Sequence, residues 1–303
     1  MIRLGRNVIC CVLILFSATA HAQPRRPGRP SYPPEMPGAI EKVYKRIDDV
    51  ELKLYVYQPP GHKQTDSRAV VVFFFGGGWK SGTPKQFEPH CRHLSQRGMV
   101  AISADYRVAT RHGVVAKDCV ADAKSAIRWI RANCQSLGID PQRIVAGGGS
   151  AGGHLAACTG TIDGFDDPTD DTSVSAVPNA MALFNPALVL APVNDQQTFT
   201  SDKQDELQQR MGVDPQKLSP AHHVRSGQPP TIIFHGKADT TVRYRTAELF
   251  TDRMKKAGNR CELIGYEGKP HGFFNFGRDN NEAYQSTLAE LDRFLESLGY
   301  LER

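Results

Sequence analysis

Two stretches of the chain are apolar without interruption, and the rest of the pattern reads outward from them. Ala69-Val-Val-Val-Phe-Phe-Phe75 and Gly98-Met-Val-Ala-Ile-Ser103 are rich in β-branched and aromatic residues. Such runs suit strands buried on both faces, as in a parallel sheet. Val50-Glu-Leu-Lys-Leu-Tyr-Val-Tyr57 alternates instead, which predicts a half-buried strand near one edge, ended by Pro59-Pro60-Gly61. Short apolar runs at Ile144 to Ala146, Met181 to Phe184, Thr231 to Phe234 and Cys261 to Tyr266 have the length of further strands. Helical patterns lie between them. Residues 84–97 predict a crossover helix. Cys119, Val120, Ala123, Ile127 and Ile130, spaced by three and four, predict a longer one over 115–134. Helical periodicity returns at 246–257 and closes the chain through Tyr284, Leu288, Leu291, Leu295 and Leu298. Strands alternating with helices predict a doubly wound, mainly parallel α/β sheet beginning near Ile40, with reacting groups at the carboxyl ends of strands.

The two ends and two loops fall outside that pattern. Arg3 and Arg6 precede an apolar run from Val8 to Phe16, and Ala20-His21-Ala22 fits a small-x-small cleavage site. We expect residues 1–22 to be a signal peptide, too short to span a bilayer stably, and the mature chain to be exported to the periplasm or beyond. Residues 23–39, rich in proline, arginine and glycine, read as a flexible linker before a catalytic domain at 40–303. Residues 195–228 are polar, with a short helix near Asp205 to Met211, and predict a small insertion over the site. Asp163-Gly-Phe-Asp-Asp-Pro-Thr-Asp-Asp171 does not match a helix-loop-helix calcium site, so a solvated loop is expected there.

Composition narrows the picture by exclusion. The net charge of +5 over 303 residues is modest, with no basic block beyond Arg25-Arg26, so nucleic acid is not an expected partner. Five cysteines follow the signal: Cys91, Cys119, Cys134, Cys158 and Cys261. They allow at most two bridges; buried thiols are the preferred reading, and without a C-x-x-C pair no zinc site is expected.

Chemistry enters at Gly148-Gly149-Ser150-Ala151-Gly152, a match to G-x-S-x-G after the Ile144 run. The pattern needs a sharp strand-to-helix turn that projects the serine hydroxyl, with glycine two residues to either side because side chains there would collide. A serine is a weak nucleophile, so it needs a base, a group to orient that base, and donors for an oxyanion. Phe75-Gly-Gly-Gly-Trp79 follows a buried strand, and the N–H groups of Gly77 and Gly78, with that of Ala151, could supply the donors. Of ten histidines, His271 is preferred as base because its loop, Lys269-Pro-His-Gly-Phe-Phe-Asn275, follows the last strand. His154 and His235 read as structural, and His222 and His223 fall in the insertion. Asp239, just after the preceding strand, is the preferred acid, with Glu267 and Asp195 as rivals. Ser150, Asp239, His271 is the chain order expected of α/β-hydrolases. Trp79 is either a sugar-stacking face or core packing under the loop.

These motifs, with Ala104-Asp105-Tyr106-Arg107 and His271-Gly272-Phe273, resemble the α/β-hydrolase superfamily. Within it they are similar to the bacterial hormone-sensitive-lipase-like esterases and acetyl esterases, including acetyl xylan esterases. The resemblance spans roughly residues 40–300. It implies an eight-stranded, mostly parallel sheet and cofactor-free ester hydrolysis, with Asp105 and Arg107 in structural roles. Related esterases usually carry histidine where Phe75 stands, which predicts an apolar pocket wall. The expected activity is hydrolysis of short acyl, especially acetyl, esters of small molecules or carbohydrates. A prolyl-peptidase-like hydrolase and an inactive binding module on the same scaffold are the alternatives.

Overall fold

The computed structural model describes residues 32–193 and 201–302; the expected signal peptide, residues 23–31 of the expected linker, and Asp195 lie outside them. Eight strands form one sheet: β1 (Ile40–Ile47), β2 (Val50–Tyr57), β3 (Arg68–Phe74), β4 (Val100–Ala104), β5 (Ile139–Gly149), β6 (Ala180–Phe184), β7 (Thr231–Gly236) and β8 (Cys261–Tyr266). Their spatial order is β1-β2-β4-β3-β5-β6-β7-β8. β2 runs antiparallel to β1 and to β4, and every other neighbouring pair is parallel. Phe74 of β3 stands opposite Ala104 of β4 and Gly148 of β5, so the parallel strands end nearly level. The loops that follow them leave from one edge, where the chemistry collects.

The helices are α1 (Glu88–Gln96), α2 (Ala116–Ala132), α3 (Ala151–Thr161), α4 (Ser201–Met211), α5 (Tyr244–Lys256) and α6 (Glu282–Ser297), with shorter helical turns between. Alternate residues of β3 feed two cores. Val70, Val72 and Phe74 pack with α2, α3 and α5, while Val71 and Phe73 pack with α1 and α6. Covering on both faces is why β3 has no polar side of its own. Each of its fully buried valines and phenylalanines stabilises the fold by about 1.5–3 kcal/mol.

β1 has no counterpart among the strands read from the pattern, because Ile-Glu-Lys-Val-Tyr-Lys-Arg-Ile carries four charges. One of these is not at the surface. Lys45 is buried, with its ammonium 3.2 Å from Asp122, 2.7 Å from Asp167 and 2.9 Å from Ser125 Oγ. A lysine enters an interior when acceptors replace its water, and here the carboxylates come from distant parts of the chain. The same contacts correct the reading of the acidic loop as solvated. Asp167 holds Lys45, while Asp166 and Asp170 pair with Arg128 of α2 at 2.7 and 3.0 Å, so much of the loop docks on basic side chains. Among the described residues no cluster of metal-ligating side chains occurs.

Residues 32–39, expected to belong to a flexible linker, are held. The Tyr32 hydroxyl donates to Asp105 at 2.5 Å, its ring faces the Arg111 guanidinium at 4.0 Å, and Met36 is buried in the second core. The five cysteines among the described residues are free thiols, four of them buried. No described helix is long and apolar enough to cross a membrane.

Candidate active site

β5 ends at Gly149 and α3 begins at Ala151, leaving Ser150 alone at the turn with φ 54° and ψ −117°. A serine in this region of backbone space is strained by about 1–3 kcal/mol and persists only where its surroundings over-determine it. Here β5 lies between β3 and β6, and the Ser150 N–H donates to Phe184 O at 2.8 Å. The flanking glycines are required by space. A Cβ on Gly152 would sit 2.0 Å from Phe74 O, and one on Gly148 would sit 2.5 Å from the same oxygen. The first turn of α3 therefore passes directly against the end of β3.

β7 and β8 deliver the two partners from neighbouring loops. His271 Nε2 lies 2.9 Å from Ser150 Oγ, and His271 Nδ1 lies 2.6 Å from Asp239 Oδ2. The other oxygen of Asp239 accepts N–H bonds from Thr241 and Val242, both at 2.8 Å. Burial alone would raise this carboxyl. Hydrogen bonds from His235, His271 and the Val242 N–H outweigh it and hold Asp239 well below the usual carboxylate range. The Asp239 carboxylate is fully buried and His271 is partly exposed, so the imidazole is the group that reaches outward. The histidine loop is tied to β6, since the Gly272 N–H donates to Asn185 Oδ1 at 2.9 Å.

The glycine loop after β3 closes the other side. Gly77 and Gly78 have φ of 125° and 64°, and a Cβ on Gly77 would meet Ser81 O at 2.1 Å. Among the described residues the N–H groups of Gly77 and Gly78 have no protein acceptor, and that of Ala151 sits in the first turn of α3. Ser150 borders two cavities. One, about 220 Å³, is enclosed by Trp79, Ala187, Val189, Leu190 and, from α4, Leu207 and Arg210. The other, about 500 Å³, is lined by the glycine loop, Gln86, His271, Asn275 and Arg278. A larger groove of about 940 Å³ between α1 and α6 includes none of Ser150, His271 and Asp239, so volume alone does not locate the site.

Comparison with known proteins points the same way. A family model described as BD-FAE matches residues 54–254. The chain belongs to the BD-FAE family. Esterase 2 of the Planctomycetes species Thermogutta terrifontis, in its propionate-bound form, is 55% identical, with 90% of this chain and 99% of that one covered and a TM-score of 0.85. Its paraoxon-phosphorylated form is 54% identical, with 91% and 100% covered and a TM-score of 0.84. Carboxylesterase NlhH of Mycobacterium tuberculosis is 27% identical over 276 residues, covering 84% of this chain and 81% of that protein. The BD-FAE chain is thus an α/β-hydrolase of the hormone-sensitive-lipase-like type and a carboxylic ester hydrolase.

Other residues singled out in the BD-FAE chain fall into supporting positions. His154 accepts the Trp79 indole N–H at Nδ1 (3.2 Å) and donates to Leu218 O from Nε2 (2.7 Å); burial lowers its pKa to about 4. His235 donates to Val242 O at 2.8 Å and lies 3.4 Å from Asp239, bracing that turn. His222 and His223 donate to Pro192 O and Gln216 O. Glu267 is 80% exposed and pairs with Lys237, away from His271. Trp79 is 5% exposed and walls the smaller cavity, so it offers no open face for a sugar. Phe75 does not line the pocket, contrary to the expected apolar wall. Its ring is buried and stacks on Tyr106 at 4.1 Å, beneath the glycine loop. Asp105 accepts the Tyr106 N–H and Arg107 clamps Asp122 with two bonds of 2.8 Å, both remote from Ser150. Sequence reasoning passed over Asn185, whose only local mark is the Asn-Pro step after a buried run, and Gln86, which has none.

Proposed function

We propose that the chain is a serine esterase for short acyl esters in which Ser150 is the nucleophile, His271 the general base and Asp239 the group that orients it. The observation that carries the reading is the unbroken Ser150–His271–Asp239 hydrogen-bonded line at the meeting point of two unequal cavities. His271 Nε2 takes the Ser150 proton as Oγ attacks the ester carbonyl. The tetrahedral oxyanion then lies toward the N–H groups of Gly77, Gly78 and Ala151. His271 returns the proton to the departing alcohol, and a water it activates releases the acid. Asp239, ionised well into acid, keeps the proton on Nδ1 and stabilises the imidazolium. An inactive scaffold is disfavoured because no member of this line is missing.

The smaller cavity suits the acyl group. At roughly 30 Å³ per water-sized group, its 220 Å³ admits about seven, enough for acetyl to butyryl and too few for a fatty acyl chain. Esterase 2 of Thermogutta terrifontis holds propionate and is phosphorylated by paraoxon, which supports both the acyl size and a nucleophile open to organophosphates. The wider cavity then takes the alcohol, and the Gln86 and Asn275 amides and the Arg278 guanidinium on its wall offer hydrogen bonds to a hydroxyl-bearing alcohol such as a sugar. With residues 1–22 removed, the enzyme would act outside the cytoplasm.

The test is a chain-length series of p-nitrophenyl esters, beside acetylated xylan. The expected kcat/KM is highest from acetate to butyrate and at least tenfold lower by octanoate. Acetate release from xylan supports the carbohydrate alcohol, and its absence removes that part alone. A preference for octanoate or longer esters overturns the acyl assignment.

A further inference from the structure

We infer that Gln86 is a positioning residue that ties the oxyanion loop to the histidine loop; the inference rests on the proposed roles of Ser150, His271 and the glycine-loop amides. The Gln86 side-chain amide is used at both ends. Its Oε1 accepts the Gly76 N–H at 2.6 Å, and its Nε2 donates to Asn275 Oδ1 at 2.8 Å. Asn275 Nδ2 in turn donates to Gly272 O at 2.8 Å, and the Gly272 N–H donates to Asn185 Oδ1. One line of amides thus runs from the residue before Gly77 to the residue after His271. It crosses the mouth of the alcohol cavity, which Gln86 and Asn275 both line.

Three features make Gln86 suited to this work. Its backbone is fixed, because it lies in the helical turn Pro84–Phe87, where Phe87 is buried and stacked on Phe73 at 4.7 Å. The point it grips is close to the reacting atom, since a Cβ on Gly76 would stand 3.4 Å from Ser150 Cβ and 3.0 Å from Gly149 O. The residue ahead of the loop cannot replace it, because the Phe75 ring has no hydrogen-bonding atom and is committed to Tyr106. A flexible triple glycine has many conformations, and donors stabilise an oxyanion only if they are already aimed. Gln86 restricts that freedom with a neutral group, adding no negative charge beside the developing oxyanion.

The experiment compares the unsubstituted enzyme with Gln86→Met, which keeps the length without the hydrogen bonds, Gln86→Ala, and Gln86→Met combined with Asn275→Ala. Kinetics on p-nitrophenyl acetate, labelling rate with a fluorophosphonate probe and melting temperature are measured for each. The expected result is a kcat about 10- to 100-fold lower for Gln86→Met, short of the roughly 10²- to 10³-fold loss when a donor is removed outright, with KM changing less than kcat. Labelling should slow in parallel, because the phosphoryl oxygen uses the same donors. Adding Asn275→Ala should change kcat by less than twofold, since both side chains serve one line. Should Gln86→Ala not fold, the isosteric variant still decides. A kcat and labelling rate within twofold of the unsubstituted enzyme, whatever the melting temperature, overturns the inference alone. Failure of the probe to label Ser150 in the unsubstituted enzyme overturns the proposed function and this inference with it.

Discussion

Replacing Asp239 by asparagine changes one atom, and the surrounding hydrogen bonds dictate the consequence. Asp239 Oδ1 accepts two backbone N–H groups at 2.8 Å. In the amide the oxygen must stay there, because turning it would set NH2 against both donors. The NH2 group then takes the place of Oδ2, which is 2.6 Å from His271 Nδ1. A donor in that place forces Nδ1 to accept and moves the imidazole proton to Nε2, which faces Ser150 and can no longer take its proton. The buried carboxylate is lost as well. At an effective dielectric of about 20, its attraction for an imidazolium some 4 Å away is about 4 kcal/mol. With about 1.36 kcal/mol per decade of rate, the two effects amount to a kcat loss of about 10³- to 10⁴-fold. KM should move little, because Asp239 lines neither cavity. Steady-state turnover of p-nitrophenyl acetate is the assay, with Glu267→Gln as the control expected to keep full activity. An Asp239→Asn enzyme with more than a tenth of normal kcat, or a comparable loss in Glu267→Gln, would refute the reasoning.

Two further outcomes follow from the same structure. His90 is fully buried among Phe87, Phe184 and Tyr284 with neither ring nitrogen partnered among the described residues, and burial lowers its pKa to about 3. His154 is lowered to about 4 by burial. The unfolded chain protonates both below about 6.5 and the folded one does not, so stability is full above that value and falls as pH drops toward the folded values. Between pH 6.5 and 5 the loss should be about 2 kcal/mol for each histidine, seen as a lower urea midpoint. His90→Leu should remove about half of the effect, and a flat profile from pH 7 to 5 would contradict it. In the acyl cavity, Leu207→Ala removes three carbons, opening roughly 90 Å³. The ratio of kcat/KM for hexanoate over acetate should rise at least fivefold, and an unchanged ratio would mean that the acyl chain lies elsewhere.

What could be read from the sequence was local or periodic. The spacing of Gly148, Ser150 and Gly152 encodes a collision that the fold avoids, with Phe74 O as the colliding atom. Asp239 and His271 are accessible because each lies in the loop after a short apolar run, and parallel neighbours bring such loops to one edge. The remainder depends on contacts with no local signature. β1 has no legible pattern because Lys45 looks like a surface residue until Asp122 and Asp167 enclose it. The acidic loop reads as solvated for the same reason. Phe75 follows the apolar run of β3, and only the position of Tyr106 turns its ring into the core rather than the pocket. Gln86 and Asn275 are 189 positions apart, and no pattern in either segment announces the other.

The central claim is that the hydroxyl of Ser150 is the group that attacks. Peptide mapping by mass spectrometry after brief exposure to paraoxon tests it most directly. The account predicts one diethylphosphoryl adduct, on the peptide that contains Ser150, appearing in step with loss of esterase activity and absent from a folded Ser150→Ala protein. Inactivation with the adduct on another residue, or undiminished hydrolysis by Ser150→Ala, would contradict it.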